Sequence, residues 1–330
     1  MDLNPNMSPV DPNRWVRRAA VATACVAMLP IIVGAVVTTK DAGMAFRDWP
    51  SSDGHNMLSY PWLKSAGDKF LEHGHRLAGI VIGLSSIVLV VVTWRNELRR
   101  WVRSLSVIIL LCVIAQGILG GQRVLLDERG LAFFHGLFAA CVFCLMAIMA
   151  VVTGPKWFSA APFEGSGSLR RVRTLSAITI GVTFVQYLLG GLVRHRGTVL
   201  HEHLGFAFVV LICVALLFRA AYASRHRDLT RLADQLAGLV VLQLLLGAGA
   251  WVTKFGFGNY VAVHGSAVQT AVRTSHVVVG MLLLMSAVVM LVRTLRLLHV
   301  SKVDGRDCNS ASAAPRNWPG APAGLSGGVA

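Results

Sequence analysis

Eight apolar stretches, each about the length an α-helix needs to cross the hydrocarbon core of a bilayer, dominate this 330-residue chain. They lie at about 18–39, 72–93, 103–124, 131–153, 173–194, 201–222, 233–253 and 273–294. With 55% hydrophobic and only 14% charged residues, no soluble class accommodates such a chain. The net charge of +15 comes from Lys and Arg clustered between the apolar runs, a membrane-topology pattern rather than a nucleic-acid-binding one. No Gly-rich phosphate loop and no zinc-type Cys spacing occurs. Five of the six cysteines lie inside apolar runs, which argues against a disulfide framework.

Only the connection at 40–71 is long, and its Asp48-Trp49-Pro50 and Tyr60-Pro61-Trp62 suit a fold over one membrane face. The other connections are short, so successive helices should be antiparallel neighbours. Twenty Lys and Arg residues fall in the loops of one side and ten in those of the other. Both termini are therefore expected in the cytoplasm and the long loop outside. Met1 to Asn13 reads as neither a cleavable signal nor a transit peptide, favouring a bacterial plasma membrane.

The halves repeat. Gln116-Gly117-Ile118-Leu119-Gly120-Gly121 matches Gln186-Tyr187-Leu188-Leu189-Gly190-Gly191, and Gln243-Leu244-Leu245-Leu246-Gly247 is a third copy. The glycines read as helix contacts, and the glutamines as interhelical glue or ligand-facing groups. The expectation is an all-α polytopic membrane protein of eight transmembrane helices in two pseudo-symmetric four-helix bundles. Its divisions are a cytoplasmic segment 1–17, a bundle 18–153, a linker 154–172, a bundle 173–295 and an unstructured tail 296–330.

His75, His135, His203 and His276 stand near the starts of the second, fourth, sixth and eighth runs. By the orientation count these runs are parallel, so the four imidazoles share one depth near the outer face. Two imidazoles on facing helices suit the two sides of one haem iron. The natural pairs are His75 with His135 and His203 with His276; a proton relay is the competing use. Glu72 lies three residues before His75 on the same helix face, where a carboxylate serves proton transfer or charge stabilisation. At its position the second half has Leu200, so the acid marks the first half alone. Arg76, Arg123 and Arg194, near the outer helix ends, either pair with haem propionates or extend to lipid headgroups.

With Glu72-x-x-His75-Arg76, Gln116-x-x-Leu119-Gly120, His135 and Gly43-Met44 with Asp48-Trp49-Pro50, the chain resembles the heme A synthase family over about 18–295. The resemblance implies two similar four-helix bundles. It implies haem O bound by His75 and His135 and oxidised at a ring methyl to a formyl group, giving haem A for terminal oxidases. It also implies a haem b cofactor on His203 and His276, and Glu72 as the functional glutamate. Implied partners are haem O, the bilayer, an electron donor not identified by sequence, and a haem O synthase as candidate supplier. Some bacterial members carry a cysteine pair in the first outer loop; loop 40–71 here has none, which places any thiol role in doubt. The alternatives are a diheme b-type cytochrome that only transfers electrons, and a haem-free transporter or proton relay.

Overall fold

The computed structural model describes residues 13–128, 130–163 and 165–312. The elements are α1 (Arg14–Thr39), a 3-10 turn (Trp62–Lys64), α2 (Gly67–Asn96), α3 (Arg100–Leu125), α4 (Leu131–Val152) and a short α5 (Pro155–Phe158). They continue with α6 (Ser166–Arg196), α7 (Leu200–Ala223), α8 (Arg227–Phe255) and α9 (Ala267–Ser312). Every helix except α5 is long and apolar enough to cross a membrane, and the chain is a multi-pass membrane protein. Helices are the natural solution, because a lipid-embedded backbone must satisfy its own N–H and C=O groups.

The helices outrun the apolar stretches that signal them. α2 starts at Gly67, with Asp68 in its first turn and Arg95 in its last, charges that suit the helix dipole. The outer loop is accordingly 40–66. At the amino end of α1 the Asn13 side chain accepts from the backbone N–H groups of Trp15 and Val16. Helical backbone in α9 continues to Ser312, through part of the segment whose composition predicts an unstructured tail from 296. Residues 1–12 and 313–330 lie outside the described residues.

In the first half α1 packs on α2 and α4, α2 on α3, and α3 on α4; in the second, α6 packs on α7 and α9, α7 on α8, and α8 on α9. These contacts close two rings of four helices. Between the rings α9 touches α1 and α4, and α4 touches α6. Two apolar cores result, and α9 serves both. Its Met281 and Leu284 join Leu89, Ile109, Met146 and Met149, while its Leu283, Ala287 and Met290 join Leu169, Val214, Leu217 and Leu236. Leu84, Ile87, Val88 and Val91 form an exposed apolar stripe at helical spacing on α2, the face a bilayer would cover.

Polar ties hold the ends. At the α2–α3 turn, Arg99 donates to both Glu97 oxygens at 2.9 and 2.7 Å and to the Val152 carbonyl at 3.0 Å, joining the turn to the end of α4. At the opposite end, Arg194 of α6 donates to the Ala35 carbonyl at 2.6 Å and to Thr39 Oγ1 at 2.9 Å, both in α1. Lys40 there donates to the Gly265 carbonyl at 2.5 Å. The ends of α1 and α6 and the loop before α9 thus meet on one face.

Candidate functional site

The four histidines come together in the two expected pairs. The His75 and His135 rings are 6.2 Å apart between centroids, and so are those of His203 and His276. Each imidazole lies against a glycine of the preceding helix. A Cβ added to Gly34, Gly120, Gly190 or Gly247 would stand 2.7, 3.3, 3.0 or 3.1 Å from the ring of His75, His135, His203 or His276. At Gly34 a Cβ would clash with the ring, and at the other three it would fit only if the ring shifted by a few tenths of an ångström. The contact recurs once per helix pair, in α1–α2, α3–α4, α6–α7 and α8–α9.

Three of these glycines belong to the Gln-x-x-x-Gly copies visible in sequence. The fourth, Gly34, was missed, because at its copy Pro30 stands where the others have glutamine. The spacing was the available signal. The Gln116 side-chain amide donates to the backbone carbonyl of His135 at 3.1 Å, and that of Gln186 to the carbonyl of His203 at 2.9 Å. Gln243 Nε2 is 3.5 Å from His276 Nε2.

The pairs fit an iron held from both sides. Two metal–imidazole bonds of about 2 Å, the length seen in zinc sites, plus the offset from each nitrogen to its ring centre, fill a centroid separation of 6.2 Å. Nδ1 of all four rings is buried without a formed hydrogen bond. A ligating imidazole turns one nitrogen to the metal and gives its other N–H to an acceptor, commonly a backbone carbonyl. Backbone carbonyls of Pro30, Gln186 and Gln243 face the rings of His75, His203 and His276. One helical turn beyond each histidine stands a small residue, Gly79, Ala139, Ala207 or Gly280.

Above the first pair lies the outer loop. Glu72, only 3% exposed, accepts from the backbone N–H groups of Ala45 at 2.6 Å and Phe46 at 3.3 Å, and from Arg76 Nη2 at 2.8 Å. Arg76 Nη1 donates to the carbonyls of Asp48 and Ser51 at 2.9 and 2.7 Å, and its guanidinium lies 4.8 Å above the Phe46 ring. Arg123 donates to the Gly43 carbonyl, and its Nε is buried without an acceptor. Trp49 packs so tightly on Gly121 that no side chain fits there. His73, which sequence reasoning set aside as facing away from its neighbour His75, is buried under the loop. Its Nδ1 is 3.0 Å from Ser52 Oγ and its ring 4.7 Å from that of Tyr60.

Within the loop, partial burial pushes the Asp48 carboxyl up, but hydrogen bonds from Gly54, Ser51 and Asp53 outweigh it and hold the group below the usual carboxylate range. A depressed folded pKa means a contribution complete at neutral pH and lost only as pH falls through that lowered value. In the second half His201 and Glu202 are exposed and flank His203 without joining the pair.

Residues 64–204 match the family model described as cytochrome oxidase assembly protein (COX15-CtaA), a stretch that contains Glu72, His75, His135 and His203. The chain is similar to the heme A synthase of Lysinibacillus sphaericus (strain C3-41), with 29% identity over 192 residues, 56% of this chain and 59% of that one. It is 28% identical to the heme A synthase of Rhizobium rhizogenes (strain K84) over 149 residues, 43% of this chain and 41% of the relative. The heme A synthase of Shouchella clausii (strain KSM-K16) is 27% identical over 140 residues, 42% of this chain and 45% of that one. The chain thus spans less than two thirds of the length of each of these relatives.

Two predictions follow from the contacts. Gly190→Val drives a side chain into the His203 ring and should destabilise the protein by about 1–3 kcal/mol, whereas Gly238→Ala, with nothing within 4 Å of the added Cβ, should be neutral or stabilising; thermal unfolding in detergent compares them. Glu72→Ala removes the acceptor of Arg76 Nη2 and leaves two backbone N–H groups unpaired. Amide hydrogen exchange in residues 43–52 should rise at least tenfold, while α3 and α4 keep their protection.

Proposed function

We propose that this chain, a relative of the heme A synthases, oxidises a ring methyl of haem O to a formyl group and so makes haem A for terminal oxidases. The observation that carries this reading is the pair of equally spaced imidazole couples, each ring seated on a glycine, in a chain similar to proteins of that name. His75 and His135 hold the substrate haem; His203 and His276 hold a haem b. The first half, 18–153, serves the substrate and the second, 173–295, serves the cofactor. When bound, the second haem supplies one-electron redox chemistry. The methyl-to-formyl change is a net oxidation with gain of oxygen, so it draws on an external oxidant and oxygen source as well as on the electron donor that feeds this haem, and a haem O synthase is the candidate source of substrate.

The protein's part is placement. Each imidazole couple would hold a macrocycle between two helices. Arg123 is the strongest candidate for a propionate partner, since its buried Nε lacks an acceptor. Arg76 and Arg194 join it by exchanging backbone carbonyls for propionate oxygens, which a charged acceptor favours. Glu72 is the proposed catalytic residue. To exchange a proton at Oε2 its carboxylate must release the Ala45 and Phe46 N–H groups. At that oxygen, proton exchange therefore competes with the bonds that tie the loop to α2. The Lys and Arg distribution supports the reading with both termini in the cytoplasm and both haem sites toward the outer face of a bacterial plasma membrane.

Three outcomes test the proposal. Membranes containing Glu72→Ala should form no haem A while keeping the Soret band of haem b; product at the wild-type level would remove Glu72 from the chemistry and leave an electron-transfer cytochrome. His203→Ala and His276→Ala should each deplete haem b, whereas His75→Ala and His135→Ala should spare it and abolish turnover, as pigment extraction and separation of haems b, O and A would read. Single cysteines at residue 13 and in loop 40–66 should react from opposite sides of sealed membrane vesicles with an impermeant thiol reagent.

A further inference from the structure

Two of the four seating glycines are followed by a second glycine, and each of those holds an aromatic ring. Gly121, next to the Gly120 that seats His135, is covered by Trp49 of the outer loop. Gly191, next to the Gly190 that seats His203, is covered by Phe133. The two rings differ in origin. Trp49 stays within its own half. Phe133 lies in the first turn of α4, two residues before His135, and so reaches from the first half into the second. A Cβ on Gly191 would stand 2.8 Å from the Phe133 ring, closer than packed side chains approach. The same ring lies 5.2 Å from that of Phe134 and 6.3 Å from that of His195 between centroids. Three residues past Gly191, Arg194 donates to the carbonyl of Ala35, the neighbour of the Gly34 that seats His75. One turn of α6, Gly190 to Arg194, thus lies against a histidine of the second couple and beside both histidine seats of the first.

Resting on the reading of the two couples as haem sites, the second feeding the first, we infer that Phe133 is the positioning residue that joins them. Its ring on Gly191 is the contact across which electrons pass between the halves. Each transfer takes one electron from a ferrous haem on His203 and His276, which becomes ferric, to a ferric haem on His75 and His135, which becomes ferrous. No bond forms or breaks, and the electron donor then restores the second haem. Tunnelling decays faster across a gap than through bonds and close-packed atoms, so the closest packing between the sites sets the route. From His203 that route runs over Gly190 and its peptide bond to Gly191, across the Phe133 ring, and along two residues of backbone to His135. Helix α9 also serves both cores, but it meets the first through Met281 and Leu284, more than one turn beyond His276.

The test uses the full-length protein in detergent, with haem b in the second couple and haem A in the first, because the formyl group moves the absorption of haem A away from that of haem b. Pulse radiolysis adds less than one electron per protein, and absorbance follows the equilibration between the haems. Wild type should show a phase independent of protein concentration in which one haem loses what the other gains. Phe133→Ala leaves a cavity on Gly191 and should slow that phase about tenfold, with both midpoint potentials at their wild-type values. Phe133→Leu refills much of the space and should slow it about threefold. Phe134→Ala removes the exposed neighbouring ring and should leave the rate unchanged. A wild-type rate in Phe133→Ala, equal slowing by Phe134→Ala, or slowing accompanied by shifted midpoint potentials would overturn the inference. Should Phe133→Ala fail to hold both haems, Phe133→Leu decides alone, and a wild-type rate in it overturns the inference. Wild-type protein that binds a single haem, or two that never exchange electrons, would overturn the two-site reading itself and the inference with it.

Discussion

An imidazole resting on a glycine is the contact on which the rest of this structure depends. It sets how closely α1 meets α2, α3 meets α4, α6 meets α7 and α8 meets α9. Helices in lipid gain little from apolar burial and associate by close packing and interhelical hydrogen bonds. A missing Cβ therefore does two things at once here. It lets the helix pair close, and it fixes the depth and direction of a ring that has a metal-binding nitrogen to spare. The glutamine one turn earlier adds a hydrogen bond in three of the pairs, where an amide left alone in hydrocarbon would be costly.

The loop above the first histidine couple is held by charge rather than by apolar packing alone. Glu72 and Arg76 form an ion pair whose side chains are 4% and 8% exposed, and each also engages the loop backbone. A buried pair is tolerable when hydrogen bonds satisfy the remaining lone pairs and protons, and removal of one partner is then severe. The second half has Leu200 in place of the acid and an exposed start to α7. The asymmetry between the halves is thus an asymmetry of cover as well as of chemistry.

Much of this was legible in the chain itself. The apolar runs gave all eight spans, because the length of a spanning helix is fixed by the bilayer. The positions of His75, His135, His203 and His276 gave the pairs, because short connections force alternation of direction and so equal depth. The helix ends were less legible. α2 and α9 extend beyond their apolar stretches, since backbone hydrogen bonding continues in water where hydropathy gives no signal. The fourth copy of the glycine motif also escaped, because Pro30 hides it from a search for glutamine.

Sequence by itself determined that this is a polytopic helical membrane protein with two histidine couples, since periodicity, run length and like spacing are local properties of a chain. Only the tertiary structure decided what each polar group does with its hydrogen bonds. Glu72 shares a helix face with His75, yet its carboxylate is taken up by Ala45, Phe46 and Arg76 of which only the last is near in sequence. Arg194 ends the fifth span but binds the first. His73, unremarkable in sequence, is sealed beneath the loop. A buried donor or acceptor must be satisfied by whatever the fold brings within about 3 Å, and that partner comes from elements whose approach no local pattern encodes.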